Sequence, residues 1–446
     1  MVGAGAALAT AVALMLLPGP VLDPGVAAAV PITPLASTCP ARTAGTVEVA
    51  GVWSGPEARS FARVLEGYSR RTGLRVRYAY ETHDIAAKLR ARLRQGCSPD
   101  VAILPQPGLM ADLARSGDLV RVDGIAGDLV RRSYAPAWQR LGTVDGHLYG
   151  VWFKAADKST VWYRPAAFRK AGISGTPQTW DELLGAARRL RAAGITPLSI
   201  PGADGWTLTD WFENVYLRTA GPRAYDALAA HRIPWTDPTV VRALSLLGDL
   251  FADRSLSGSP QTALSTTLPD AVRAVFAPGS RTAMVAEGDF VRSFLPTGTA
   301  AGAARYFDFP GPRPAAATRV VGGDVAVLMR RSRGAARLLR YLATPEAAAP
   351  WASAGGFLSP NRDLALTQYP DALSRSLASR LAGAPSVRFD LSDLQPASFG
   401  ATAETGMWPI LQEFLSSPHD AASTARTLEA AASSAWACRA PASGSC

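Results

Sequence analysis

Between residues 204 and 211 the chain reads Asp204-Gly-Trp206-Thr-Leu-Thr-Asp210-Trp211, its densest association of tryptophan and carboxylate. Indole rings present flat apolar faces, and carboxylates accept hydrogen bonds in fixed directions. A ring with C–H faces and a rim of hydroxyls needs both. The same residues have a structural alternative: Asp204 or Thr207 can cap a helix whose Trp211 lies in a core. A second unusual stretch is Lys154-Ala-Ala-Asp157-Lys158. The chain has only four lysines (Lys88, Lys154, Lys158 and Lys170) and otherwise uses arginine. Two of the four, with Asp157, interrupt two apolar runs, 149–153 and 159–163, that suit buried strands. A solvated turn between strands is the alternative.

The elements that must position these residues follow from periodicity. Over 46–153 strands (46–53, 74–80, 101–104) alternate with amphipathic helices (56–72, 85–95, 109–116), the first stopped by Gly73. That alternation predicts a parallel sheet covered on both faces. Ligands of such sheets gather beyond the C-terminal strand ends, which nominates Trp53, Glu81 and Gln106. Further on, Thr179 and Glu182 have capping-box spacing before an apolar helical stripe that Gly194 closes. Asp237-Pro238 starts a long helix with a plain core face at Leu244, Leu247, Leu250 and Phe251. A strand at 282–285 precedes Glu287-Gly-Asp289-Phe290. The double glycine of Val321-Gly-Gly323-Asp324 lets backbone approach a ligand closely.

Several pieces occur in order: Tyr149-Gly-Val, the Lys154–Lys158 insert, Val161-Trp-Tyr163, Phe168-Arg-Lys-Ala-Gly172 and Pro177-Gln-Thr-Trp-Asp-Glu182. Together they resemble the signature of extracellular solute-binding proteins of ABC importers, the carbohydrate-binding family that includes maltose-binding protein. The resemblance spans residues 46–437. It implies an α/β, periplasmic-binding-protein-like fold: two α/β lobes, a multi-crossing hinge and a ligand cleft between the lobes. The expected division is a signal peptide over 1–29, a linker over 30–45, lobe 1 over 46–154, lobe 2 over 155–304, a return to lobe 1 over 305–346, and lobe 2 with C-terminal helices over 347–446. The wording from Phe153 to Tyr163, with that from Gly205 to Trp211, looks most like the α-glucoside-binding branch. By resemblance, Phe153, Lys154 and the post-hinge Asp157 join the site. So do Asp289, Phe290 (where relatives carry tryptophan), Gly323, Asp324 and Trp408, beside Asp204, Trp206 and Asp210.

The implied function is binding by lobe closure and delivery of a carbohydrate to ABC permease subunits, by a monomer, without cofactor. The competing class is a secreted glycoside hydrolase using two carboxylates. Asp157, Asp204, Asp210, Glu287, Asp289 and Asp324 supply candidates, but the sequence pairs no two of them. A sugar sensor for a receptor kinase is a third reading.

Residues 6–17 form an apolar run too short to span a bilayer, and Ala27-Ala-Ala29 offers a cleavage site. The product is expected outside the cytoplasm, associated with the membrane through the transporter. Lipidation at Cys39 is disfavoured, because Leu35 stands one place too early and Thr38 is bulky. Four cysteines in an exported chain allow two disulfides in three connectivities. Cys39 and Cys97 each precede a strand start, and a parallel sheet can place such starts side by side. Cys39–Cys97 with Cys438–Cys446 is therefore the expected pairing. Four scattered histidines give no metal-site spacing. The net charge of +10 comes from arginines interleaved with acids on amphipathic helices, so a nucleic-acid partner is not expected.

Overall fold

A computed structural model describes residues 1, 29–82, 84–313, 318–384, 386–400, 402 and 404–438. The expected signal peptide and Cys446 lie outside that set, apart from residues 1 and 29. Among the described residues a seven-stranded sheet has the order β1-β3-β2-β4-β12-β13, with β7 also paired to β12. Its strands are β1 (Ile32–Pro34), β2 (Thr46–Gly51), β3 (Arg75–Tyr80), β4 (Val101–Leu104), β7 (Gly150–Asp157), β12 (Thr318–Leu328) and β13 (Ser386–Phe389). A small hairpin, β5 (Thr143–Val144) with β6 (His147–Leu148), stands apart. The second sheet has the order β11-β8-β10-β9, built from β8 (Thr160–Tyr163), β9 (Thr196–Leu198), β10 (Thr282–Ala286) and β11 (Arg305–Asp308).

Two apolar clusters form the cores, the first around the larger sheet and the second around one face of the smaller, whose other face gives Trp162 and Val285 to the first. Phe61, Leu65 and Leu104 belong to the first; Trp211, Leu244 and Met284 belong to the second. Helix Gly55–Thr72 lays Phe61, Val64, Leu65 and Tyr68 on the first sheet and ends at Gly73, in the left-handed conformation. Thr179 accepts a hydrogen bond from the Glu182 amide, and the Glu182 carboxylate accepts from the Gln178 amide. The helix Trp180–Ala192 thus carries both halves of a capping arrangement, the return bond landing one residue early.

The chain passes between sheets at three places among the described residues: β7 to β8, β11 to β12, and after β13. The crossings are tied side by side. Lys158 N donates to Val320 O at 3.0 Å, Asp390 N donates to Val321 O at 2.8 Å, and Val320 N donates to Ser159 Oγ at 2.9 Å.

Several expectations need correction. The polar insert is not a turn: β7 continues through Asp157, with Lys154 opposite Asp324 on β12. The segment 30–45 is not all linker, since β1 pairs in parallel with β3. Strand β11 does not return to the first lobe. It pairs antiparallel with β8 and puts Phe307 into the second core; its alternation suits either sheet equally. Nor does 347–382 belong with the second lobe. Trp351, Leu377 and Leu381 bury against the first core. The Cys39–Cys97 disulfide is formed, with its Cα atoms 5.6 Å apart, which engages the Cys39 sulfur.

Candidate ligand cleft

Loops leaving the first sheet form one wall of a cavity of about 700 Å³, a size within the ~300–1,000 Å³ of small-molecule sites. Trp53, Glu81 and Gln106 line it, each just beyond a parallel strand, β2, β3 or β4. The Trp53 amide donates to the Tyr78 hydroxyl at 2.9 Å, and that hydroxyl donates to Trp53 O. This double bond fixes the loop. Gln106 Oε1 is buried without a protein partner among the described residues. Such an acceptor is costly to leave unmet, and its residue lines the cavity.

Lys154 and Asp324 face the cavity from the central pair β7 and β12, beside Gly323. Lys154 Nζ lies 2.6 Å from Glu57 Oε1 and 5.2 Å from the centre of the Trp351 ring. Burial works against its charge, but Glu57 and Asp324 outweigh it and raise its pKa. Burial lifts Asp324 to about 6, against the pull of Lys154 and a hydrogen bond from Trp53.

The opposite wall comes from the second lobe. Asp204 Oδ2 accepts from the Leu268 amide at 2.7 Å, the first amide of the helix Leu268–Phe276, whose N-cap is Thr267. Gly205 has φ 70°, and a Cβ there would lie 2.9 Å from the Trp408 Cβ. Glycine lets the Trp408 side chain pack on the backbone just before Trp206. Phe290 stands edge-on to Trp206, with centroids 5.8 Å apart and planes at 64°. Asp204, Trp206, Phe290 and Trp408 all line the cavity.

Four nominated residues do not reach it. Phe153 is the extra residue where the register between β7 and β12 shifts, and its ring packs into a cluster with Trp53, Phe61 and Phe357. Asp157 is 0% exposed. Its carboxylate holds Arg319 Nη1 at 3.0 Å, and Arg319 also grips Asp308, so it belongs to the hinge. Asp289 Oδ1 accepts from the Asp157 amide at 2.7 Å behind the wall. Asp210 sits one layer deeper, 2.9 Å from Lys158 Nζ.

Lys158 itself was missed as a site residue, although its rarity in the sequence marked it. It lines the cavity, bonds Asp210 and Asp390, and places its ammonium 5.3 Å from the Trp206 ring centre. Asp390, Ser392 and Asp393 also line the cavity; they follow β13 and carry no local motif. Asp210, Glu213 and Asp390 offer oxygens within 4.8 Å of one another, and the Lys158 ammonium supplies the cation at two of the three. Burial pushes Asp210 up to about 7 against the pull of Lys158. Burial also opposes the charge of Asp390, yet Lys158 and a Glu213 hydrogen bond bring it down to about 2.

Two α/β lobes, tied by adjacent crossings around a cleft of ligand size, define a solute receptor. Residues 54–349 match the family described as bacterial extracellular solute-binding protein, and the chain belongs to that family. It is 34% identical over 362 residues to the osmoprotective compounds-binding protein GgtB of Synechocystis sp., covering 79% of this chain and 85% of the relative. It is 31% identical over 380 residues to the alpha-glucosides-binding periplasmic protein AglE of Rhizobium meliloti, covering 81% and 82%. Among solved structures, the solute receptor AcbH, described as preferring β-D-galactopyranose, superposes with a TM-score of 0.77 at 20% identity, covering 87% of this chain and 98% of that one. The GacH receptor of Streptomyces glaucescens gives a TM-score of 0.69 at 17% identity, covering 89% and 98%. No helix among the described residues is long and apolar enough to cross a membrane.

Proposed function

We infer that this binding component of an ABC sugar importer carries a neutral α-glucoside oligosaccharide. The observation that carries the reading is one cavity lined by Trp206 and by Trp408, packed on Gly205, from one lobe and by Gln106, Lys154 and Asp324 from the other. Indole faces cover the C–H faces of a sugar, while carboxylates, an amide and an ammonium bond its hydroxyls. Because the two sets of contacts come from different lobes, only the closed arrangement makes them all, and ligand selects closure. The names of the two relatives above 30% identity, one for osmoprotective compounds and one for α-glucosides, point to the same chemistry. Trehalose and sucrose belong to both classes.

In this reading a monomer outside the membrane releases its sugar to permease subunits, and the cleft carboxylates bind rather than catalyse. Calorimetric titration of the folded protein with maltose, trehalose and sucrose tests it. Binding at micromolar Kd or tighter, weakened by Trp206→Ala, is expected. No heat with any of the three overturns the α-glucoside assignment.

A further inference from the structure

A second chamber of about 290 Å³ opens beside the main cavity and shares Pro56, Glu57, Ser293, Leu295 and Pro296 with it. It too lies between lobes. Ser60 and Trp351 line it from helices Gly55–Thr72 and Pro345–Ala354; Arg292, Ser293 and Thr299 line it from the segment after β10. We propose that this chamber is an extension subsite for one further neutral, hydroxylated unit of the ligand, so that the preferred solute is a trisaccharide-sized glycoside. The proposal rests on the neutral-glycoside reading of the main cleft and adds the length of the ligand.

The chemistry of the walls carries the choice of class. Both charges that face the chamber are already engaged: Glu57 with Lys154 at 2.6 Å, and Arg292 with Asp371. An anionic or cationic group entering there would meet no unbalanced countercharge. What remains is the buried Arg292 Nε, without a partner among the described residues, and a set of hydroxyls, Ser60, Ser293 and Thr299, beside Trp351, suited to a rim of sugar hydroxyls. Thr299 donates its own proton to Pro296 O at 2.6 Å and so presents its oxygen as an acceptor. The volume, about 290 Å³, falls just short of the ~300–1,000 Å³ range of whole small-molecule sites, which suits one ring rather than a chain. Glu57 stands at the junction of the two spaces. A ligand that crosses from one to the other passes the Glu57–Lys154 pair, which can bond the bridging region from both sides.

Calorimetry on the full folded chain with two matched pairs, maltose with maltotriose and sucrose with raffinose, tests this. In at least one pair the trisaccharide is expected to bind tenfold or more tightly than its disaccharide. Ala354→Trp, at the exposed end of its helix, fills the chamber without touching the main cavity. It should abolish the gain and leave disaccharide affinity unchanged; Ser60→Trp should do the same from the opposite wall. Equal affinities within both pairs, or a gain that survives both substitutions, overturns the subsite while the main-cleft reading stands. Failure of every saccharide to bind the folded protein overturns both.

Discussion

Lys158 Nζ lies 2.9 Å from Asp210 Oδ1, beneath the cleft, at the point where the chain first crosses between lobes. One ammonium therefore holds down the helix Trp206–Ala229, the Asp390 crossing and the face of the Trp206 ring together. Removing one partner of a buried ion pair leaves the others uncompensated and costs about 3–5 kcal/mol. Lys158→Met should lower stability by that order in denaturant unfolding. Adding Asp210→Asn should recover part of the loss, and a double change no more stable than the single one would refute the pairing.

Two tryptophans five residues apart should behave oppositely. Trp206 is partly exposed in the cleft, whereas Trp211 is 1% exposed in the second core. Trp206→Ala should cost ligand binding about 2 kcal/mol, roughly 30-fold in Kd, with little change in Tm. Trp211→Ala should cost folding about 3–5 kcal/mol. Paired melting and titration experiments separate the two outcomes.

Stability should fall as pH rises from 5 to 8. Burial, only partly offset by Lys154, lifts Asp289 to about 7. The folded chain therefore keeps a proton that the unfolded chain has released by about pH 4. That contribution is complete below pH 4 and is lost as pH passes 7. Asp390 acts in the opposite sense: its contribution is present above about pH 4 and vanishes as pH falls towards 2. Asp289→Asn keeps an acceptor for the Asp157 amide and should flatten part of the slope in denaturant midpoints. An unchanged slope would remove Asp289 as its source.

The Cys39–Cys97 bridge spans 58 residues of sequence. A loop of that size corresponds to about 4 kcal/mol of lost unfolded-chain freedom. Replacing both cysteines by serine should lower the thermal midpoint without altering sugar affinity, because the bridge is remote from the cleft lining. Differential scanning calorimetry with a parallel titration checks both halves.

Sequence reading reached the parts of the cleft that obey local rules. Trp53, Glu81 and Gln106 follow parallel strands, and Gly205 and Trp206 sit in a compact motif. It failed where side-chain direction or long-range pairing decides. Phe153 and Lys154 are adjacent, and the break in register against β12 at Phe153, which no local pattern announces, removes the alternation that would sort them. Asp390 and Asp393 approach Lys158 from more than two hundred residues away, with no spacing to betray them. Strand β11 has an alternation that either sheet would accept, so its place depended on which edge was open.

Strand β12 lies between β4 and β13 and also pairs with β7, yet it is made only from residues 318–328. A nascent chain that ends before those residues has the N-terminal strands but not the strand that joins them to the rest of the sheet. Its β4 edge stays open and the first core incomplete until most of the polypeptide has been synthesised. Folding of that lobe must wait on a contact more than two hundred residues long, a slow class of closure. The first lobe therefore cannot close its sheet before residues 318–328 are available to it.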